Sequence, residues 1–153
     1  MNIALGSDHH GFAHKAFIKE HHQIAGSTIH WNDMGCTTPD DCDYPEFAHY
    51  VVHAILSGQA DRGVLLCGTG AGIAMAANRF NHIYAALAWN EETARLAREH
   101  DNANILVIPA DYVTAEQAVK MIEAWLGAKF LGGRHEHRLM MIDEVVHQMG
   151  DGE

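Results

Sequence analysis

The stretch Gly63-Val64-Leu65-Leu66-Cys67-Gly68-Thr69-Gly70-Ala71-Gly72-Ile73 decides how this chain is interpreted. An apolar run ends in Cys67, a loop with glycine at every second position follows, and residues 73–78 read as the start of a helix. A buried strand that leads through such a loop into a helix directs unpaired backbone N–H groups into a pocket for negative charge. We expect a thiol at the rim of that pocket to have a lowered pKa. Cys67 is therefore either a nucleophile or general base that faces an anion hole, or a buried structural cysteine before a tight turn.

The composition favours one globular domain that spans residues 1–153. The net charge of −10 argues against a nucleic-acid surface, although a few local arginines can still attract an anionic small molecule. The N-terminal residues do not resemble a signal peptide, and no apolar run approaches the length of a membrane span. Cys36, Cys42 and Cys67 form neither zinc-like pairs nor an even disulfide set. The sequence therefore predicts a cytoplasmic protein without membrane or nucleic-acid partners.

Short apolar runs alternate with amphipathic segments along the chain. This alternation predicts a three-layer α/β/α, Rossmann-like domain with a five-stranded parallel sheet and a C-terminal helix. The predicted strands are residues 2–6, 28–31, 63–67, 83–88 and 104–108, and the predicted helices are residues 12–24, 45–57, 73–78, 91–99, 114–126 and about 133–149. Ligands in this fold bind beyond the carboxyl ends of the strands. We therefore expect the site to be formed by the loops that carry residues 7–10, 33–44, 67–72, 90–91 and 109–112.

The glycine-rich loop has a second interpretation as a nucleotide site. Gly68, Gly70 and Gly72 form G-x-G-x-G after the third predicted strand. A dinucleotide fingerprint requires G-x-G-x-x-G after the first strand. The match to a nucleotide-binding loop is therefore weak.

Three further groups of residues each have a functional and a structural interpretation. Asp8 and His9 end the first strand, where they either form an acid–base pair or cap the following helix. Arg134 and Arg138 lie one helical turn apart and form either a phosphate clamp or a solvated face. His100 ends a helix, where it is either a proton donor or only a helix-terminal residue.

The thirteen histidines invite a metal hypothesis, which their spacing does not support. The pairs His9-His10 and His21-His22 are adjacent in sequence, and no H-E-x-x-H motif occurs. We therefore expect no metal site.

Five segments follow one another in a specific order: Gly6-Ser7-Asp8-His9-x-Gly11-Phe12, Asp43-Tyr44-Pro45, Cys67-Gly68-Thr69-Gly70-x-Gly72, Ala94-Arg95-Leu96-Ala97-Arg98-Glu99-His100 and Gly132-Gly133-Arg134-His135-x-x-Arg138. Together they resemble the ribose-5-phosphate isomerase type B family, which also contains galactose-6-phosphate and allose-6-phosphate isomerases. The resemblance runs from about residue 3 to 140.

The resemblance implies an aldose–ketose isomerase that needs neither metal nor cofactor and acts on a sugar phosphate through an enediolate. Cys67 matches the base that moves a proton between C1 and C2. Thr69 matches the residue that assists proton transfer between the oxygens. His100, with Asp8 nearby, matches the residues that open the sugar ring.

The resemblance also implies how the substrate is held. The loop backbone would stabilise the enediolate, and two arginines with a histidine would hold the phosphate. Family members are homodimers or tetramers whose active sites are completed by a neighbouring subunit, so the helix at about 133–149 is expected to pack on a partner. The substrate-binding residues implied are His9, Asp43, Tyr44, Gly68, Gly70, Ala71, Gly72, Asp101, Arg134 and Arg138.

Two positions depart from the family pattern. Asp111 stands where relatives usually carry an arginine that contacts the phosphate, and Asp101 stands where they tend to carry asparagine. These carboxylates leave three interpretations open: an isomerase of ribose 5-phosphate, an isomerase of another pentose, tetrose or hexose phosphate, and a ligand-binding module without catalysis.

Overall fold

The computed structural model describes the backbone of residues 1–150 and the side chains of residues 1–145. The strands are β1 (Asn2–Ser7), β2 (Gln23–Ile24), β3 (Ser27–Thr28), β4 (His30–Asp33), β5 (Arg62–Cys67), β6 (Ala85–Leu87) and β7 (Ile105–Pro109). The helices are α1 (Phe12–Lys19), α2 (Tyr44–Leu56), α3 (Ala71–Ala77), α4 (Glu91–Asp101), α5 (Ala115–Gly127) and α6 (Arg134–Gly150), and a 3-10 turn (His9–Gly11) precedes α1.

The main sheet has five parallel strands in the order β4-β1-β5-β7-β6. Strand β4 pairs with one side of β1, and the next strand of this sheet along the chain, β5, pairs with the other side of β1. Ligands in open α/β sheets bind at the carboxyl ends of the strands where this change of direction occurs. Ser7 pairs with Leu66 at that point, so the residues that follow β1 and β5 are neighbours.

Helices cover both faces of the sheet, as the alternation of apolar runs predicts. One face packs against α1, α4 and α5, and the other packs against α2 and α3. Successive residues of β5 alternate between the faces, since Leu66 contributes to the first core and Leu65 to the second. The predicted three-layer α/β/α fold with its five-stranded parallel sheet is confirmed.

The predicted helix over residues 12–24 is too long. The observed helix α1 ends at Lys19, and β2 and β3 form an antiparallel hairpin. Ala25 and Gly26 form its two-residue turn with φ values of +50° and +75°. Two successive positive φ values are typical of the hairpin turn whose twist matches that of the strands. Gly26 therefore belongs to a hairpin turn and does not end a helix.

Helix α6 lies against α4 and β6 at one end of the molecule. Tyr84 Oη donates a hydrogen bond to Asp143 Oδ2 at 2.7 Å, and Leu139 is buried beneath the helix. Burial and this bond to the carboxylate raise the pKa of Tyr84 to about 12. Four apolar side chains of the helix are exposed: Met140, Met141, Ile142 and Val145.

None of the helices in residues 1–150 combines the length and the apolar character that crossing a bilayer requires.

Candidate active site

Cys67 is the last residue of β5 and is only 5% exposed. Its Sγ accepts a hydrogen bond from the backbone N–H of Gly70 at 3.2 Å. Burial raises the pKa of the Cys67 thiol, and the backbone N–H groups of Ile73, Gly70 and Thr69 lower it only in part. The expectation of a lowered pKa is therefore wrong for the single chain, because desolvation of the thiolate exceeds the stabilisation by these donors.

The glycines of the loop are required because other groups approach them closely. A Cβ atom at Gly70 would lie 2.5 Å from Leu87 Cδ1, and the φ of +77° at this residue is also unfavourable for other amino acids. A Cβ atom at Gly72 would lie 2.6 Å from Cζ of Tyr44. The loop is thus pressed between β6 on one side and the start of α2 on the other.

Tyr44 and Asp43 lie at the carboxyl edge of the sheet, as the site prediction requires. Asp43 immediately precedes α2, and Tyr44 is its first residue. Pro45 follows at a position where a missing N–H costs nothing. The start of α2 therefore places the Tyr44 ring over Gly72, at the mouth of the glycine loop.

Asp8 is buried beside Cys67 and caps the 3-10 turn. Its backbone N–H donates to the Leu66 carbonyl at 3.3 Å, and its Oδ1 accepts from the His10 backbone N–H at 2.9 Å. Asp8 therefore caps the 3-10 turn that precedes α1, whereas α1 itself begins after Gly11 without a side-chain cap. The negative charge of Asp8 also contributes to the raised pKa of the Cys67 thiol, so the two side chains share one site.

His9 faces the loop that leads to α2. Its Nδ1 accepts from the backbone N–H of Cys42 at 3.3 Å, and its Nε2 lies 3.4 Å from Asp41 Oδ1. Since Nδ1 is an acceptor, any proton on the neutral ring is on Nε2. His9 thus joins the 3-10 turn to the loop before α2 across the mouth of the site.

His10 and Asp111 form a pair that sequence reasoning did not find. His10 Nδ1 lies 2.9 Å from Asp111 Oδ1, and the backbone N–H of Asp111 donates to the Gly68 carbonyl at 3.0 Å. A Cβ atom at Gly68 would lie 2.7 Å from Asp111 Oδ2 and 3.2 Å from His10 Nδ1. The pair therefore lies directly over the first glycine of the loop.

His100, Asp101, Arg134 and Arg138 lie at the opposite edge of the sheet. Helix α4 begins at the carboxyl end of β6 and returns to the amino end of β7, so His100 and Asp101 are separated from Cys67 by roughly the length of β7, about 16 Å for five residues. The His100 ring stacks on that of His135 with centroids 4.2 Å apart, which places the start of α6 there too. Within one chain, His100 does not lie beside Asp8.

Arg134 and Arg138 bring positive charge to this second edge, beside the carboxylate of Asp101. Burial and the neighbouring charges of His100, Arg134 and Arg138 lower the pKa of His135. Arg134 and Arg138 are both exposed and point away from the core. The edge therefore presents two guanidinium groups that are available to an anion.

The part of the chain that the structure describes contains histidines at a spacing that could serve a metal. Two histidine pairs have the spacing of four residues that places ligands on one helical face, His10 with His14 and His49 with His53. His14 Nε2 lies 2.7 Å from the Val113 carbonyl, and the His49 ring packs edge-on against Phe80. No set of three His, Cys, Asp or Glu side chains in these residues is arranged to hold a metal.

A family described as Ribose/Galactose Isomerase matches residues 3–142. The chain belongs to this family. Ribose-5-phosphate isomerase B of Escherichia coli is 38% identical over 143 residues, which cover 94% of this chain and 95% of that protein. A probable ribose-5-phosphate isomerase B of Mycoplasma genitalium is 40% identical over 148 residues, 95% of this chain and 94% of that protein.

Solved structures of this isomerase family have the same fold. Ribose 5-phosphate isomerase B of Thermotoga maritima superposes with a TM-score of 0.87 at 46% identity, covering 94% of this chain and 97% of that one. The M. genitalium enzyme, solved with bound ribulose 5-phosphate, gives a TM-score of 0.86 at 39% identity, covering 95% of this chain and 96% of that one. The predicted family resemblance is thus confirmed.

The only sequence signal for His10 is its position directly after the Asp8-His9 dipeptide, and the sequence indicates nothing for Asp111 beyond the absence of a cation. Their pairing depends on the contact between the loops that follow β1 and β7, 101 residues apart in the chain. No local spacing rule reports such a contact.

Proposed function

We propose that this member of the isomerase family interconverts ribose 5-phosphate and ribulose 5-phosphate, with Cys67 as the base. The observation that carries the proposal is the placement of the Cys67 thiol beneath the glycine loop at the carboxyl edge, in a family of which the M. genitalium member binds ribulose 5-phosphate. Isomerisation needs a base at one carbon and stabilisation of the neighbouring oxygens, and this arrangement supplies both.

In the proposed reaction, the Cys67 thiolate removes the proton from C2 of the open-chain aldose. The electron pair of that C–H bond forms the C1–C2 double bond, and the carbonyl oxygen on C1 becomes the enediolate oxygen, which the N–H groups of the loop stabilise. Thr69 assists the transfer of a proton between the two oxygens. The proton on Cys67 then returns to C1, which leaves the ketose carbonyl at C2 and restores the thiolate.

The proposed site requires a second copy of the chain. Cys67, Asp8 and His9 lie at one edge of the sheet, whereas His100, Arg134 and Arg138 lie at the other. In the proposed dimer, the amino edge of one copy meets the carboxyl edge of its partner. The groups for ring opening and phosphate binding then lie beside Cys67. The exposed apolar side chains of α6 support such packing.

We also propose a cytoplasmic location. Cys36, Cys42 and Cys67 are all free thiols, which suits a reducing compartment.

A second candidate is isomerisation of another sugar phosphate, and Asp111 is the observation that favours it. Its carboxylate lies over Gly68, at the loop that the substrate would contact. A negative charge in this position changes which hydroxyl and phosphate groups the site accepts. The reaction at Cys67 would be the same for either substrate.

The test is a comparison of kcat/KM for pentose, tetrose and hexose phosphates with the wild-type chain and Cys67→Ala. We expect ribose 5-phosphate to have the highest value and the variant to lose isomerisation while it keeps its circular dichroism spectrum and binds ribulose 5-phosphate in calorimetry. Unchanged turnover by Cys67→Ala would exclude the thiol as the base. A higher kcat/KM for a hexose phosphate would select the second candidate.

A further inference from the structure

The pair formed by His10 and Asp111 fixes the direction of the His10 ring. Asp111 accepts the proton of Nδ1 at 2.9 Å, and its own backbone is bonded to Gly68. No residue that the structure describes makes a hydrogen bond to His10 Nε2. This nitrogen is therefore unpartnered at the rim of the site, where it accepts a hydrogen bond in the neutral ring and donates one when the ring is protonated. His10 is 42% exposed there.

The carboxyl edge otherwise holds mainly negative charge. Asp8, Asp41 and Asp111 all act on His10, from the 3-10 turn, from the loop before α2 and from the loop after β7. The His9 ring lies beside it, with centroids 4.4 Å apart and planes tilted by 43°. The cation of the neighbouring helix α1, Lys15, is already engaged, since its Nζ lies 2.9 Å from Asp33 Oδ1 and donates to the Cys36 carbonyl.

We propose that His10 binds the phosphate of the substrate through Nε2–H and that Asp111 is its positioning residue, so that phosphate binding depends on the protonation of His10. This inference rests on the proposed function for the nature of the substrate. In this role Asp111 is compatible with an anionic ligand, because its negative charge is paired with the protonated His10 ring. The protonated imidazole of His10, held in one orientation, then attracts the phosphate in place of the arginine expected at the position of Asp111.

The direction of the pH dependence follows from the charges around His10. The hydrogen bond to Asp111 raises the pKa of His10. Burial opposes this effect, and the negative charges of Asp111, Asp8 and Asp41 raise the pKa further. His10 is therefore cationic at low pH and up to a value above its ordinary 6.5. Phosphate affinity is expected to be high below that pKa and to fall as the pH rises through it. Arg134 and Arg138 of a second copy provide the part of the affinity that does not change with pH.

The experiment follows the His10 Cε1–H resonance of the full chain by NMR from pH 5 to 9, with and without inorganic phosphate. Inorganic sulfate serves as a second probe because its charge does not change over this range. His10→Gln identifies the resonance, Asp111→Asn removes the positioning charge, and His22→Gln, an exposed histidine outside the site, is the matched control.

We expect both anions to raise the pKa of His10 in the wild type, and we expect Asp111→Asn to lower it and reduce the anion effect. His10→Gln is expected to weaken phosphate binding by about tenfold at pH 6 and much less at pH 9, as the loss of a charge-assisted hydrogen bond predicts. The KM for the sugar phosphate should follow the same pattern, with kcat changed less than KM. Asp111→Glu should restore part of the effect.

A His10 titration that neither anion shifts would overturn the proposal, as would equal anion affinities for His10→Gln and the wild type at pH 6. These binding measurements do not depend on turnover. If no sugar phosphate is isomerised but the anions still shift His10, the proposed function fails and the assignment of His10 stands.

Discussion

Two opposing effects act on the Cys67 thiol, and burial is the larger of them. The raised pKa means that most of the thiol is protonated near neutral pH, whereas the proposed base is the thiolate. The fraction of active enzyme should therefore increase with pH until the pKa of Cys67 is reached.

We accordingly expect kcat to rise by about tenfold per pH unit between pH 6 and 8, as for a single ionising base. The measurement is a pH–rate profile, together with the thiolate absorbance of the wild type minus that of Cys67→Ala, which removes the contribution of Cys36 and Cys42. A kcat that is already constant from pH 6 upward would show that the thiol is ionised in the assembled site.

The contact between Gly72 and Tyr44 makes a second prediction at the scale of single residues. The added methyl of Gly72→Ala would lie 2.6 Å from the Tyr44 ring, which is partly exposed and can move away. We expect the fold to persist and the site to be distorted, with kcat/KM reduced about tenfold or more, since small misplacements at a site have large kinetic effects.

Gly127→Ala is the matched control for this change. Gly127 is the last residue of α5, and a Cβ atom there meets nothing closer than Ala25 Cβ at 3.7 Å. Its kcat/KM should equal that of the wild type. A loss of activity in both variants, or in neither, would contradict the role of the Tyr44 contact.

At the scale of elements, capping determines where α5 begins. Thr114 Oγ1 accepts from the Gln117 backbone N–H at 3.1 Å, and Gln117 Oε1 accepts from the Thr114 N–H at 2.7 Å. This reciprocal pair satisfies two donors that the helix cannot satisfy internally. Helix α5 then buries Trp125 and Met121 against the sheet, so its start contributes to the stability of the whole core.

Thr114→Ala is expected to reduce the free energy of unfolding by about 1 kcal/mol, which corresponds to a Tm lower by about 2–4 °C in a chain of this size. Thr114→Ser keeps the hydroxyl and should retain most of the stability. Thermal denaturation followed by circular dichroism compares the three proteins. Equal Tm values for the Ala and Ser variants would contradict the capping contribution.

At the scale of the whole molecule, the residues proposed to act together are divided between two edges of one sheet. Cys67 is the last residue of β5 at the carboxyl edge, and His100 lies in the last turn of α4 at the amino edge. Parallel strands place all their carboxyl ends on one side, so no adjustment of loops within one chain brings these two residues together. The proposed dimer would bring them together across its interface.

Mixing two inactive variants tests this arrangement. In a heterodimer of Cys67→Ala with His100→Ala, one of the two shared sites keeps both Cys67 and His100. We expect the mixture, after dissociation and reassociation, to recover about a quarter of the wild-type activity, since half of the dimers are mixed and each has one intact site. No recovery, in a mixture shown to exchange subunits, would mean that each site uses residues of one chain only.

Much of the fold was predictable because local pattern and fold agree. The strand over residues 63–67 and the helices that begin at Glu91 and Ala115 follow from apolar runs and caps, and each is within two residues of its predicted start. The segment over residues 20–28 was not predictable in this way. Its apolar residues continue the helical spacing of α1, but Ile24 is buried by a hairpin that packs on α5, a distant contact.

The sequence by itself determined the layered α/β fold, the glycine loop after Cys67 and the family, because these depend on residues close together in the chain. The tertiary structure decided the rest. It buried Cys67 and raised its pKa, it placed His10 on Asp111 over Gly68, and it separated His100 from Asp8. Each of these results depends on which strand ends become neighbours, and desolvation and charge pairing act through space, not along the chain.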